Sequence, residues 1–143
     1  MIVGVGMDLV AISRIREMVA RRSERALGRL YTAGEIAYCR GRGAPEQSFA
    51  ARFAAKEAFF KALGTGWSRG GLWTEVEVRT APGGAPQLVL SGRAARNAEE
   101  RGVKRLHLSL THSADTAGAV VILEGVADAG LSPSDPGSRP SPG

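Results

Sequence analysis

The feature that most constrains the fold of this chain is a run of strong helix formers from Glu46 to Leu63, ended by Gly64. Phenylalanines recur within the run and place apolar surface on several sides of the predicted helix. Such a helix is typical of a mostly buried element, so other elements must pack around it. Any charged side chain on it then needs a partner or an ion.

Strand and helix patterns alternate on both sides of this helix. Thr32 followed three residues later by Glu35 is a capping-box pattern, which predicts a helix that ends at the Gly41–Gly43 break. The remaining predicted elements are a strand over Met1–Val10 that ends near Asp8, helices over Ala11–Ala20 and Ser91–Arg101, a hairpin of Trp73–Thr80 and Gln87–Leu90, and two strands over Leu106–Thr111 and Ala117–Leu123. With 143 residues, the chain fits one compact domain.

The composition changes after Gly125 to glycine, serine, proline and aspartate, which cannot bury enough apolar surface to become ordered. We therefore predict a folded domain over residues 1–125 and a disordered tail over residues 126–143. Cys39 is the only cysteine, so no disulfide forms within the chain and a reducing cytoplasm fits. The start of the chain does not resemble a signal peptide, and no apolar run approaches the roughly 18 residues of a membrane span.

One charged pair on the long predicted helix stands out. Glu57 and Lys61 are four residues apart and therefore share one face. A pair of this kind on a protein surface contributes only about 0.2–0.5 kcal/mol to helix stability. Here the pair lies among Phe53, Phe59 and Phe60, so burial is expected and a functional site is favoured over a surface pair.

Asp8 is predicted at the end of the apolar N-terminal strand, where a carboxylate either caps the following helix or binds a cation. Gly4 and Gly6 before it lack the third glycine of a dinucleotide-binding loop, which makes that interpretation weak. Together with Glu57, Asp8 would offer two hard carboxylate oxygens. Such a pair, completed by water and a ligand phosphate, suits magnesium.

His112 is predicted where a late strand ends and a turn begins. His112 is either a solvent-exposed turn histidine without a function, or a group that accepts a proton or binds a phosphate. The chain has no Gly-x-Ser-x-Gly elbow, so a hydrolase triad built on a neighbouring serine is unsupported.

Arg14, Arg21 and Arg25 would form a stripe on the helix after the first strand if that helix continues, with Met18 beside them. The stripe is either a solvated face or a docking surface for an acidic, partly apolar helix of another protein. The net charge of +5 also agrees with an acidic or phosphate-bearing partner.

Three motifs occur in order along the chain, and the set resembles the holo-acyl-carrier-protein synthase family of phosphopantetheinyl transferases. The resemblance extends from Met1 to Glu124 and leaves the predicted tail outside. The motifs are Gly6-x-Asp8-x-Val10 with Arg14-Ile15, then Phe53-x-x-Lys56-Glu57-Ala58-x-x-Lys61-Ala62-x-Gly64, and finally Ser109-Leu110-Thr111-His112-Ser113 with Ala117-x-Ala119.

This resemblance implies an α+β fold, with an antiparallel sheet packed with helices, in a single domain that assembles as a homotrimer. It also implies a magnesium-dependent transferase that moves 4′-phosphopantetheine from coenzyme A onto a serine of apo acyl carrier protein. Coenzyme A would bind in a cleft between neighbouring subunits. The activity would support fatty acid synthesis or polyketide synthesis, and the residues do not indicate which type of carrier is served.

The resemblance also implies roles for individual residues. Asp8 and Glu57 match the magnesium ligands of the family, and Lys61 matches the lysine that reaches the pyrophosphate. Positions that line or border the coenzyme A site in similar proteins are matched by Arg52, Lys56, Gly64 and His112. The surface that receives the acidic helix of the carrier protein is matched by Arg14, Met18, Arg21 and Arg25.

The serine that attacks coenzyme A must lose its proton, and two groups could accept it: Glu57 acting through a metal-bound water, or His112. We favour the metal side, because phosphoryl transfer depends more on positioning and charge than on a strong base. If a His112→Ala variant lost turnover but kept its affinity for coenzyme A, this preference would be wrong.

Two other classes of function are alternatives to a transferase. A small basic nucleic-acid-binding module agrees with the positive charge, but the sequence shows no recognition motif and no basic platform of aromatic residues. A domain that keeps the fold without activity is the second alternative. The joint presence of Asp8, Glu57 and Lys61 disfavours it.

Overall fold

Helix α4 (Pro45–Leu63) forms the centre of the computed structural model, which describes residues 1–127. A proline occupies its first turn, where the missing N–H costs nothing. The helix ends at Gly64, whose φ of +81° lies in the left-handed region that favours glycine. Apart from Glu57, every residue from position 49 to 60 is buried, which confirms the expected central position of this helix.

The other elements follow the predicted order, with shifts at their ends and two unpredicted short helices, α2 and α5. They are β1 (Ile2–Ala11), α1 (Ile12–Arg21), α2 (Glu24–Leu27), α3 (Ala33–Arg40), α5 (Trp67–Gly70), β2 (Val76–Thr80), β3 (Pro86–Leu90), α6 (Gly92–Glu100), β4 (Val103–His112) and β5 (Thr116–Gly125). The predicted capping box is present: Thr32 accepts the Glu35 N–H at 3.2 Å, and Glu35 accepts the Thr32 N–H at 3.0 Å.

The predicted strand Trp73–Thr80 is shorter than expected. Its first three residues form a 3₁₀ helix, Trp73–Glu75, and strand β2 begins only at Val76. The Glu75 carboxylate accepts the Leu72 N–H at 2.6 Å, which closes the turn locally. Alternating hydrophobicity could not reveal this bond, because it depends on a side chain that turns back onto its own backbone.

Two antiparallel sheets pack around α4. Strands β1, β5 and β4 form a three-stranded sheet in that order, and β2 pairs with β3 as the predicted hairpin. The inner face of the larger sheet is buried against α4 and carries Ala117, Ala119, Val121 and Leu123. The fold is therefore α+β, with antiparallel sheets packed with helices, as expected.

Strand β1 approaches α4 unusually closely at two glycines. A Cβ atom at Gly4 would lie 2.1 Å from the Ala62 carbonyl oxygen, and one at Gly6 would lie 1.9 Å from the Ala58 carbonyl oxygen. Both distances are impossible for any side chain without moving the backbone. The Gly-x-Gly pair thus belongs to a strand and serves helix packing, and its interpretation as a dinucleotide loop is wrong.

Two predictions about the N-terminal region need correction. Asp8 lies within β1, which continues to Ala11, and Ala11 precedes α1 without a side-chain cap. The capping role of Asp8 is therefore excluded, which leaves its carboxylate available for other partners. Helix α1 ends at Arg21, so Arg25 lies on the separate helix α2 and the stripe of arginines is not one continuous helix face.

The outer face of β1 is apolar and open to solvent in the single chain. Val5, Met7 and Leu9 are 58%, 60% and 65% exposed, and they alternate with the inward residues of the same strand. Exposed large apolar side chains in a row are uncommon on a monomeric protein and mark an interaction surface. We call this row the β1 outer face.

Most of the predicted tail over residues 126–143 lies outside the described residues; only Val126 and Ala127 are within them. Within residues 1–127, no helix has the length and apolar character needed to cross a membrane.

Candidate active site

The first functional cluster forms where β1 crosses the C-terminal half of α4. The Lys61 ammonium donates to Asp8 Oδ1 at 2.9 Å and to the Met7 carbonyl oxygen at 3.2 Å. The Lys61 side chain is 54% exposed, whereas the Asp8 side chain is 14% exposed. The lysine can therefore change partners when a ligand arrives, while the carboxylate is held against the helix.

Glu57 completes this cluster. Partial burial raises the pKa of Glu57, and the negative charge of Asp8 raises it further, whereas Lys61 and Arg14 act in the opposite direction. The two carboxylates thus repel each other across the face between β1 and α4. A cation placed there would relieve that repulsion.

The residues present fit a magnesium site of the open type. Within residues 1–127, no group of three His, Cys, Asp or Glu side chains is arranged to hold a metal by itself. Magnesium is commonly bound through one or two carboxylates, with water and substrate phosphates supplying its other oxygens. Asp8 and Glu57 provide that kind of donor set, as the sequence predicted, and their role as ligands stays a prediction.

The second functional cluster surrounds Arg52. Arg52 is 4% exposed, and its guanidinium donates to Thr80 Oγ1 at 3.2 Å with the Cζ atom 4.1 Å from the centre of the Tyr38 ring. The Nε atom of Arg52 is buried and has no hydrogen-bond partner. Arg52 and His112 line one cavity of about 260 Å³ together with Arg42. We call this cavity the arginine cavity.

The arginine cavity and the Asp8–Glu57–Lys61 cluster are separate in one chain. None of the described residues that line the cavity belongs to that cluster. The structure therefore brings Arg52 and His112 together, and it brings Asp8, Glu57 and Lys61 together, but it does not join the two sets.

Lys56 lies in the core and faces neither cluster. Its ammonium donates to Glu35 Oε1 at 2.7 Å, to the Val76 carbonyl oxygen at 2.7 Å and to the Trp73 carbonyl oxygen at 3.0 Å. Both Lys56 and Glu35 have fully buried side chains. Burial lowers the pKa of Lys56, and the Glu35 charge opposes that shift. The predicted contact of Lys56 with coenzyme A stays a prediction, but all of these partners are structural.

The remaining predicted residues lie near the surface. Gly64 follows the last turn of α4, three residues beyond Lys61, and its predicted contact with coenzyme A stays a prediction. Arg14 is exposed on α1 and its charge reaches Glu57, so the predicted carrier-binding helix adjoins the acidic cluster. Met18 is half-buried and packs against the core.

Tyr38, Arg42 and Thr80 lie around Arg52 and its cavity and are candidate site residues that the sequence analysis missed. Arg42 stands between two glycines after α3, and this exposed position was interpreted only as a helix break. Tyr38 and Thr80 gave no usable signal, because they meet Arg52 only through the packing of α3, α4 and β2.

A family model described as the 4′-phosphopantetheinyl transferase superfamily matches residues 4–121. The chain belongs to this superfamily. The holo-[acyl-carrier-protein] synthase of Koribacter versatilis is 48% identical over 124 residues, covering 87% of this chain and 99% of that protein. The holo-[acyl-carrier-protein] synthase of Desulforudis audaxviator is 50% identical over 125 residues, covering 87% and 95%.

Solved structures agree with this assignment. The holo-[acyl-carrier-protein] synthase of Neisseria meningitidis superposes with a TM-score of 0.79 at 33% identity, covering 87% of this chain and 99% of that chain. The Helicobacter pylori holo-[acyl-carrier-protein] synthase in complex with coenzyme A gives a TM-score of 0.74 at 31% identity, covering 84% and 99%. The fold predicted from the sequence is thereby confirmed.

Proposed function

We propose that this chain is a holo-acyl-carrier-protein synthase, which transfers 4′-phosphopantetheine from coenzyme A to a serine of apo acyl carrier protein. The observation that carries the proposal is the Asp8–Glu57–Lys61 cluster. Its carboxylates and lysine adjoin an exposed arginine-bearing helix, in a chain that belongs to the phosphopantetheinyl transferase superfamily. The reaction supports fatty acid synthesis or polyketide synthesis, and the reduced Cys39 fits the cytoplasm.

The reaction forms one bond and breaks one. The serine Oγ atom of the carrier bonds to the β-phosphorus of coenzyme A, and the bond from that phosphorus to the bridging oxygen breaks. Adenosine 3′,5′-bisphosphate leaves with the bridging oxygen and its electron pair. The developing negative charge must be stabilised at the pyrophosphate, where electrostatic groups contribute most.

Asp8 and Glu57 would hold a magnesium ion, which when bound neutralises the pyrophosphate as a Lewis acid. Lys61 would exchange its bond with Asp8 for an oxygen of the pyrophosphate, because its exposed side chain is free to turn. Glu57 is half-buried at the same site, and we propose that the serine proton is accepted on this side. His112 is the alternative acceptor, but it lies in the separate arginine cavity.

The arginine cavity supports a site for the nucleotide end of coenzyme A. The 3′-phosphate takes no part in the bond change, so a cationic pocket outside the acidic cluster suits it. Arg52, Arg42 and His112 supply that pocket. Since one chain keeps the two clusters separate, we propose that coenzyme A lies between the acidic cluster of one subunit and the arginine cavity of another.

The β1 outer face supports assembly into a homotrimer. Its apolar side chains belong to the same strand as Asp8, so an interface there would pack a neighbouring subunit against the strand that carries Asp8. Copies of this chain are the partners that suit it, because homo-oligomer interfaces are more apolar than the rest of a protein surface and this face is a row of exposed apolar side chains. Light scattering during size-exclusion chromatography tests this assembly, and the expected molar mass is that of three chains.

The carrier protein would dock on α1 and α2, where Arg14, Arg21 and Arg25 are exposed. Their positive charge would attract and orient an acidic helix, and Met18 would add apolar contact. Arg14 also acts on Glu57, which supports a docking position with the serine next to the acidic cluster.

The mass of a purified apo acyl carrier protein, measured after incubation with this chain, coenzyme A and magnesium, tests the function. The expected result is a gain of one phosphopantetheine group. An Asp8→Ala, Glu57→Ala double variant and a metal chelator should each abolish the gain. A Glu99→Ala, Glu100→Ala double variant, which removes two exposed carboxylates from α6, should keep it. No gain with several different carriers would contradict the proposal.

A further inference from the structure

We infer that Tyr38 is a positioning residue for the nucleotide end of coenzyme A, acting through the two arginines that flank its ring. The inference rests on the proposed transferase function and extends it to a side chain with no part in the bond change. Tyr38 lies in the last turn of α3, Arg42 follows that helix, and Arg52 comes from α4. The ring therefore joins the two segments that supply the cations of the arginine cavity.

Both guanidinium groups lie within reach of a cation–π interaction. The Cζ atom of Arg52 is 4.1 Å from the ring centre, and that of Arg42 is 5.4 Å away. Attraction of this kind extends to about 6 Å from the ring centre. One aromatic ring thus contacts both arginines, although Arg52 is buried and Arg42 is exposed.

Arg52 needs such a support because it has no acidic partner. Within residues 1–127, no carboxylate forms an ion pair with Arg52, and its buried Nε atom lacks a hydrogen bond. A buried guanidinium normally requires compensation. A carboxylate would provide it but would also neutralise the charge that an anionic ligand needs. An aromatic face stabilises the cation and leaves its charge available to a phosphate.

The orientation of the ring is itself held by the surrounding structure. A hydrogen bond with Thr80 lowers the pKa of Tyr38, and partial burial opposes that shift. The positive charges of Arg42 and Arg52 and a hydrogen bond with Arg52 also lower this pKa. Thr80 also accepts a hydrogen bond from Arg52 at 3.2 Å. Tyr38, Thr80 and Arg52 therefore form a connected set. Tyr38 and Arg52 line the arginine cavity and two further cavities beside it.

The test compares Tyr38→Leu, which removes the ring, with Tyr38→Phe, which keeps it. We expect Tyr38→Leu to raise the KM for coenzyme A about tenfold while kcat stays within about twofold, since the ring acts on binding of the nucleotide end. Tyr38→Phe should restore the KM to within about threefold of the unmodified chain. Calorimetric titration with adenosine 3′,5′-bisphosphate should give the same order of affinities without any turnover.

Dephospho-coenzyme A, which lacks the 3′-phosphate, separates positioning from a general structural role. If Tyr38 holds the arginines for that phosphate, Tyr38→Leu should lose most of the preference for coenzyme A over dephospho-coenzyme A. Tyr31→Phe is the matched control. It removes the buried hydroxyl that donates to the Phe49 carbonyl oxygen at 2.8 Å, so it should lower stability and leave the preference unchanged.

An unchanged preference in folded Tyr38→Leu would overturn this inference alone, because the transferase would still be active. If the unmodified chain bound neither coenzyme A nor adenosine 3′,5′-bisphosphate, the proposed function would fail and this inference with it. Should Tyr38→Leu not fold, Tyr38→Met takes its place, because it keeps most of the side-chain volume without a π-face. Loss of the preference for coenzyme A over dephospho-coenzyme A in Tyr38→Met would support the inference, and an unchanged preference would overturn it.

Discussion

Helix α4 carries two lysine–carboxylate pairs whose surroundings differ sharply. Lys56 meets Glu35 at 2.7 Å with both side chains fully buried. Lys61 meets Asp8 at 2.9 Å with a lysine side chain that is 54% exposed. The first pair has its charges compensated by protein groups and joins α4 to α3 and β2. The second keeps a cation at the surface that a phosphate can take over.

The difference shows that the surroundings of a lysine–carboxylate pair, and not its residue types, decide whether its loss affects stability or ligand binding. A buried ion pair is costly to break, because the partner left behind remains charged and unsolvated. An exposed pair contributes little to stability, because water and salt screen it. Loss of Lys56 should therefore be read in the free energy of unfolding, and loss of Lys61 in the rate of transfer.

The largest effect is expected from Lys56→Met, which leaves Glu35 charged and buried. We expect the free energy of unfolding to fall by about 3–5 kcal/mol, measured by chemical denaturation. A Lys56→Met, Glu35→Gln double variant should recover part of the loss, because it removes the unpaired charge. A Lys56→Met chain as stable as the unmodified one would contradict the assigned role of this pair.

Lys61→Ala should have little effect on stability and a large effect on catalysis. The free energy of unfolding should change by no more than about 0.5 kcal/mol, since this pair is exposed. The value of kcat/KM should fall about 10²–10³-fold, the usual loss when one electrostatic group leaves a transition state. Steady-state kinetics on apo carrier protein and a denaturation curve check the two parts. Activity near that of the unmodified chain would remove Lys61 from the site.

Gly6→Ala tests how close packing creates the exposed pair. The new methyl group would meet the Ala58 carbonyl oxygen and push β1 away from α4, at a cost of about 1–3 kcal/mol in unfolding free energy. Activity should fall as well, because Asp8 moves away from Glu57 and Lys61. Gly43→Ala is the control for stability, since nothing lies within 4 Å of a Cβ atom there. Equal effects of the two substitutions on the unfolding free energy would speak against the close-approach argument.

The smallest effect is expected from Glu57→Gln, measured with a metal chelator present. The folded-state pKa of Glu57 is raised, so its ionised form destabilises the fold at neutral pH. Glutamine should therefore increase the unfolding free energy near pH 7, by at most about 0.5 kcal/mol because solvent screens this partly exposed group. The gain should vanish as the pH falls through the folded-state pKa, where Glu57 is already neutral. A loss of stability near pH 7 would contradict the repulsion between Asp8 and Glu57.

Local patterns predicted much of the fold correctly. Helix α4 was predictable from its helix formers and from the glycine that ends it, and α3 from its capping box. These signals lie within a few residues of the elements they define. The end of α1 at Arg21 and the 3₁₀ turn before β2 were not predictable, because side-chain bonds and packing decided them.

The sequence by itself determined the candidates for the chemistry: the motifs pointed to Asp8, Glu57 and Lys61, and the structure brings these three together. Only the tertiary structure decided that Lys56 pairs with Glu35 in the core, that Gly4 and Gly6 serve close packing, and that Tyr38 supports the arginine cavity. The physical reason is that burial and partners depend on segments far apart in the chain. Glu35 meets Lys56, and β1 meets α4, only after the chain has folded.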